Sequence, residues 1–150
     1  MSDLRVELQN SLNDIITSKE ITDYTSAVNK FREVFEYLTD IPKKDASVVR
    51  VEDKVNKFYF YAYKFALCLI DKGDCVDVIA RNELAPTVKI SQDLLGEIKF
   101  ENDGFSYFNY ANSQVPHLLK EEIMKELFET AYKPLLENYR KTQIPRLSRE

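Results

Sequence analysis

VVRVEDKVNKFYFYAYKFALCLIDKGD, residues 48–74, is the stretch whose reading decides the fold. Val48, Val51, Val55, Phe58, Tyr59, Ala62, Phe65, Ala66 and Leu69 recur at intervals of three and four, the spacing of one face of a helix. Ser47 stands where an N-cap belongs, and Asp71-Lys72-Gly73 supplies a stop in which Gly73 is free to turn left-handed. The spacing therefore predicts a long helix from Val48 to Leu69. Phe60, Tyr61 and Tyr63 widen its apolar face beyond a single stripe, so this helix is expected at the centre of the domain, covered on more than one side.

On the N-terminal side, Leu4, Leu8, Leu12, Ile15 and Ile16 follow Ser2, a plausible cap, and predict a first helix. Thr22 or Asp23 caps a second one, striped by Tyr24, Ala27, Val28, Phe31, Val34, Phe35 and Leu38 and stopped at Asp40-Ile41-Pro42. The connection near Lys19, Glu20 and Ile21 is short enough to make the two antiparallel neighbours.

On the C-terminal side, Asp74 opens a short fourth helix carrying Cys75, Val78 and Ile79, closed by Pro86. From Val88 onward the pattern changes. Val88 to Phe100 reads either as a helix capped at Ser91, with Leu94, Leu95 and Ile98 inward, or as an end flowing into a strand. The alternation in Glu97-Ile98-Lys99-Phe100, the turn Asn102-Asp103-Gly104 and the alternation in Phe105-Ser106-Tyr107 support a β-hairpin. Leu119, Ile123, Met124, Leu127, Phe128, Ala131, Leu135 and Tyr139 mark a final helix that Pro134 should kink or restart. The fold expected is mainly α, with antiparallel helical hairpins of about five helices and room for one small β-hairpin near residues 97–108. Residues 1–142 would form one helical domain and 143–150 a short basic tail.

Two segments carry a family resemblance. ITSKEITDYTSAVNKF, residues 16–31, ends one helix, turns, and spaces Tyr24, Ala27 and Phe31 three and four apart, with Pro42 closing the unit. YAYKFALCLIDKGDCVDVIARNELAP, residues 61–86, sets Ala66 before the turn Gly73-Asp74, Cys75 and Val78 after it, and Pro86 at the end. Over about half the chain this resembles tetratricopeptide-like helical hairpin repeats, in which small residues such as Ala27 and Val78 let paired helices approach closely. The resemblance implies a helical protein-binding scaffold.

The chain has 150 residues, 44% of them hydrophobic, enough to bury a core. Lys and Arg total 21 against 25 Asp and Glu, so the net charge of −4 disfavours nucleic acid as a partner and slightly favours a basic one. Two cysteines are too few for a disulfide framework and suit a reducing compartment. The opening MSDLRVELQNSLND has no apolar signal core, and the longest apolar run, Phe58 to Ile70, is broken by Lys64 and is far shorter than the roughly 20 residues of a membrane span. A cytoplasmic or nuclear location without a membrane span is expected.

Motifs for chemistry are scarce. His117 is the single histidine, beside Pro116, and reads as a partly exposed residue at a helix terminus. Cys68 and Cys75 lack the spacing of a zinc site and read as buried, inert thiols. Asp71, Asp74 and Asp77, and Glu121, Glu122, Glu126 and Glu129, fit solvated faces and helix N-termini better than metal ligands. Gly73, Gly96 and Gly104 are isolated, so no phosphate loop exists. No catalytic residue, metal or cofactor is expected. Binding is the better prospect, because the chain holds nine Tyr and nine Phe, and surface tyrosines are favoured interface anchors. Lys54, Lys57, Tyr61 and Lys64 would share one face of the central helix, with Tyr107 and Tyr110 as further contacts. The expectation is a non-enzymatic interaction module or small complex subunit that binds a protein partner, such as an acidic peptide, with a homodimer as one possible form. Two alternatives are a pocket for an apolar or lipid-like ligand between the third helix and the last one, and an RNA-binding role using these lysines with Arg140, Lys141, Arg146 and Arg149.

Overall fold

The computed structural model of the chain describes residues 3–83 and 91–137. Its elements are helix α1 (Leu4–Glu20), helix α2 (Tyr24–Leu38), strands β1 (Val49–Lys54), β2 (Lys57–Ala62), β3 (Phe65–Asp71), β4 (Cys75–Asn82), β5 (Ser91–Phe100), β6 (Ser106–Tyr110) and β7 (Pro116–Leu118), and helix α3 (Glu121–Ala131). The strands form a single seven-stranded antiparallel sheet in which each pairs with its neighbours in sequence. The expected mainly α fold is thus overturned, together with its helical hairpins.

The predicted central helix is the triple strand β1-β2-β3, and the predicted fourth helix is β4. The spacing misled because strands buried on both faces show near-continuous apolar runs, into which a helical stripe can always be drawn. Within β2 and β3, Phe58, Phe60, Phe65, Leu67 and Leu69 enter the main core, while Tyr59, Tyr61, Ala66 and Cys68 form a smaller cluster on the opposite face. That alternation has the strand period of two. The aromatic and β-branched content of residues 48–70 also suits a pleated surface better than a helix. The hairpin expected near residues 97–108 is present as strands β5 and β6 of the large sheet, with Phe100 opposite Ser106.

Helices α2 and α3 cover the main core face. Phe31, Phe35, Ile123, Met124, Leu127 and Phe128 close over Phe60, Leu67, Val76, Val78 and Ile98. Phe128 is the hub: its ring lies 5.9 Å from Phe31, 5.9 Å from Phe35, 5.5 Å from Phe60 and 5.8 Å from Tyr132. The Tyr132 hydroxyl donates to the Phe60 carbonyl at 2.9 Å, which ties the end of α3 to β2. At that point α3 stops, and residues 133–137 begin a fresh helical turn around Pro134; Tyr139 and the basic tail lie outside the described residues. The third helix expected to line a pocket with the last one is instead the strands β1, β2 and β3.

The first two helices exist but do not make the expected hairpin. A capping box, in which Asp23 accepts from the Ser26 amide and Ser26 accepts from the Asp23 amide, starts α2 and turns it onto the sheet and α3. Helix α1 leans instead on β6 and β7, with the expected cap Ser2 outside the described residues and Asp3 capping by accepting from the Arg5 amide.

Candidate interaction site

Helix α1 is held to the body almost entirely at its C-terminal end. Ser18 is its one buried residue. The Ser18 hydroxyl donates to the Ser106 carbonyl at 2.8 Å, the Ser106 amide donates back to Ser18 Oγ at 3.0 Å, and Ser106 Oγ donates to the Ser18 carbonyl at 2.9 Å. Ile21, directly after the helix, is fully buried, and Glu20 pairs with Lys30 of α2 at 3.0 Å. These contacts fix the last turn and let the earlier turns run along the outside of the molecule.

The sidedness of those turns is the reverse of an ordinary surface helix. Apart from the exposed Val6, the side of α1 that looks toward its own body is polar: Asn10, Asn13, Asp14 and Thr17 face Glu121, Glu122 and Lys125 of α3 across an open cleft. Leu4, Leu8, Leu12, Ile15 and Ile16 occupy a sector about 120° wide on the opposite side, and each is 40–76% exposed. An amphipathic helix normally buries its apolar stripe and wets its polar one. Here the stripe identified from sequence is real, yet nothing in this chain's described residues covers it.

The second surface is the face of the sheet away from α2 and α3. The Tyr59 and Tyr61 rings stack at 5.8 Å. The Arg50 guanidinium lies 3.9 Å from the Tyr61 ring centre and that of Arg81 lies 5.5 Å from Tyr59, both within cation–π range. Glu83 locks the group, accepting from the Tyr61 hydroxyl at 2.5 Å and from Arg81 Nε at 2.6 Å. Burial opposes ionisation of Glu83, but those two hydrogen bonds outweigh it and hold the carboxyl below its ordinary range. Burial and the bond to Glu83 push the Tyr61 hydroxyl well up. The spacing Arg50-x-Glu52 and Arg81-x-Glu83 was the readable signal for this lattice, because residues two apart on a strand share a face.

Removing the Glu83 charge should expose its share of the stability. At pH 7, Glu83→Gln is expected to cost about 1–2 kcal/mol in urea melts, the size of a charge-assisted hydrogen bond discounted for partial exposure. A carboxylate with a depressed folded pKa stabilises fully above its unfolded value, near pH 4.3, and loses that contribution as pH falls through the folded value. The gap between wild type and variant should therefore narrow below about pH 4. A gap that stays constant down to pH 2.5 would show that the carboxylate is not held as described.

Further along the same face, one ligand atom each from Cys75, Asp77 and Glu97 lie within 4.8 Å of one another. Lys72 already pairs with Asp77 at 3.6 Å and Lys99 with Glu97 at 3.3 Å. Burial and then the neighbouring Glu97 push the Cys75 thiol up to about 11, so it stays protonated and donates to Glu97 at 3.7 Å. Both carboxylates are thus already neutralised by lysines. Cys68 is buried, its thiol also pushed up to about 11 by burial.

The shared helix face expected for Lys54, Lys57, Tyr61 and Lys64 does not exist. Lys54 and Lys57 flank the β1–β2 turn, whereas Lys64 lies in the β2–β3 turn, about 20 Å away along the strand. Tyr61 is 3% exposed and engaged with Arg50 and Glu83. Tyr107 donates to Asp103 at 2.6 Å, and Tyr110 reaches α3 by donating to Glu126 at 2.6 Å. His117 lies on strand β7, exposed, with its ring edge-on to Tyr110 at 5.2 Å, and not at a helix terminus. No helix among the described residues is long and apolar enough to cross a membrane. No protein-family model matches this chain, and comparison with curated proteins and with solved structures finds no match.

Proposed function

We propose that this chain acts by docking, as a non-enzymatic interaction module or small subunit whose N-terminal helix presents an apolar stripe to a protein partner. One observation carries the reading: α1 turns its polar side inward to α3 and its leucine and isoleucine side outward. Contiguous exposed apolar surface of this kind marks interaction sites in soluble proteins, and leucines at intervals of four on a helix are the anchors by which one helix engages another or a groove. The basic and aromatic residues first considered are dispersed over the sheet and its turns, so they do not make a rival surface.

The test compares wild type with Leu8→Gln/Leu12→Gln. Glutamine keeps helix propensity, and both positions are exposed, so the fold should persist with a change of about 0.5 kcal/mol or less. Association measured by affinity capture and sedimentation, whether with other chains or with itself, should weaken at least about 30-fold, the loss expected on removing interface anchors worth 2 kcal/mol or more. Full retention of every wild-type association in a variant with an unchanged circular dichroism spectrum would sink the docking reading.

A further inference from the structure

We infer that the partner of the α1 stripe is a second copy of this chain, joined by antiparallel pairing of the two α1 helices about a twofold axis level with residue 10. The inference rests on the docking reading and specifies its occupant. The stripe is self-complementary in that register: Leu4 of one copy comes level with the partner's Ile16, and Leu8 with the partner's Leu12, so every leucine meets an apolar side chain. From Leu4 to Ile16 the matched surface is about 18 Å long, three turns of helix.

Charge selects the direction. A parallel pair would set Arg5 against Arg5 and Lys19 against Lys19, the two cations that fall within the apolar sector. In the antiparallel register Arg5 comes level with the partner's Ile15, on the flank that carries the partner's Glu20. Like charges are separated and opposite ones drawn together. The placement of the stripe also suits two bulky bodies. Because α1 keeps its own domain on its polar side, apposing the outer faces leaves the two bodies on opposite sides of the helix pair.

The area is sufficient. With exposures of 40–76%, the five side chains present about 400–500 Å² of apolar surface per chain, at the upper end of what a monomer leaves bare. Pairing two copies can bury at most about 800–1,000 Å² of it, and the flanking Arg5 and Gln9 stems bring the total to about the 1,000 Å² of a specific interface. An isologous contact of this kind closes on itself and stops at two.

Sedimentation equilibrium of the full chain tests the inference with two variants. Wild type should run at twice its 17.6 kDa mass. Leu8→Glu/Leu12→Glu places carboxylates opposite carboxylates in the proposed register and should weaken dimerisation at least about 30-fold. Leu8→Glu/Leu12→Lys places opposite charges level across the axis and should retain far more dimer than the double-glutamate chain. In a parallel pair it would be just as disrupted, so equal loss in both variants overturns the antiparallel register. A dimer that persists in the double-glutamate chain overturns α1 pairing altogether. A wild-type monomer at 17.6 kDa that still captures another protein through Leu8 and Leu12 overturns the second copy as occupant and leaves the docking reading standing.

Discussion

Phe128→Ala should destabilise the protein by about 3–5 kcal/mol, the cost of truncating a large aromatic in a packed core. Phe128 is fully buried at the junction of all the layers, touching Phe31 and Phe35 from α2, Phe60 from β2 and Tyr132 beyond the end of α3. Those neighbours belong to separate elements and cannot close on the vacancy together, so the cavity penalty adds to the lost transfer free energy. Phe128→Leu, which refills part of the volume, should recover about half of the loss. Denaturant melts measure both. A cost below about 1 kcal/mol for the alanine would mean that α3 does not sit on the sheet as described.

The segments read correctly from sequence are those in which cap, stripe and stop agree. Helix α2 has a capping residue at Asp23 and a stripe of which Ala27, Val28, Phe31, Val34 and Phe35 are buried. Residues 48–71 failed for lack of punctuation. The β2–β3 turn is Tyr63-Lys64, without Gly, Asn, Asp or Pro, and Tyr63 adopts φ 58 there without the help of a glycine. With no turn residue between β2 and β3, and Asn56 (φ 60) as the single turn signal between β1 and β2, three strands merged into one apparent helix. Gly73 did signal a left-handed position, and φ is 98, but a helix stop and a hairpin turn use that conformation equally. The α1 stripe was legible as a stripe; its direction was not, because periodicity shows that a helix has an apolar side and says nothing about which body that side meets. Glu83 escaped notice because Tyr61 reaches it only through strand pairing, although Arg81 lies two residues away in sequence.

Gly96→Ala should be at least as damaging as many core truncations, at about 3 kcal/mol or more, although it adds a single methyl group. Gly96 sits at the irregular point of β5, where its pairing with Val78 is followed by that of Leu94 with Ile79, so that Leu95 is the extra residue of a bulge. A Cβ there would lie 2.2 Å from the Asn109 carbonyl oxygen and 2.5 Å from the Phe108 ring. The oxygen belongs to the neighbouring strand's backbone and cannot move without disturbing the β5–β6 ladder, while the Phe108 ring is itself fully buried. Gly104→Ala is the matched control. It has open space around the added methyl and a φ of +88, so it should lose only the about 1–2 kcal/mol of placing an L-residue in the left-handed region. Shrinking the ring in Gly96→Ala/Phe108→Leu should recover only part of the deficit, since the clash with the carbonyl oxygen remains. If Gly96→Ala and Gly104→Ala melt together within about 0.5 kcal/mol, β6 does not approach β5 at the bulge as closely as the pairing requires.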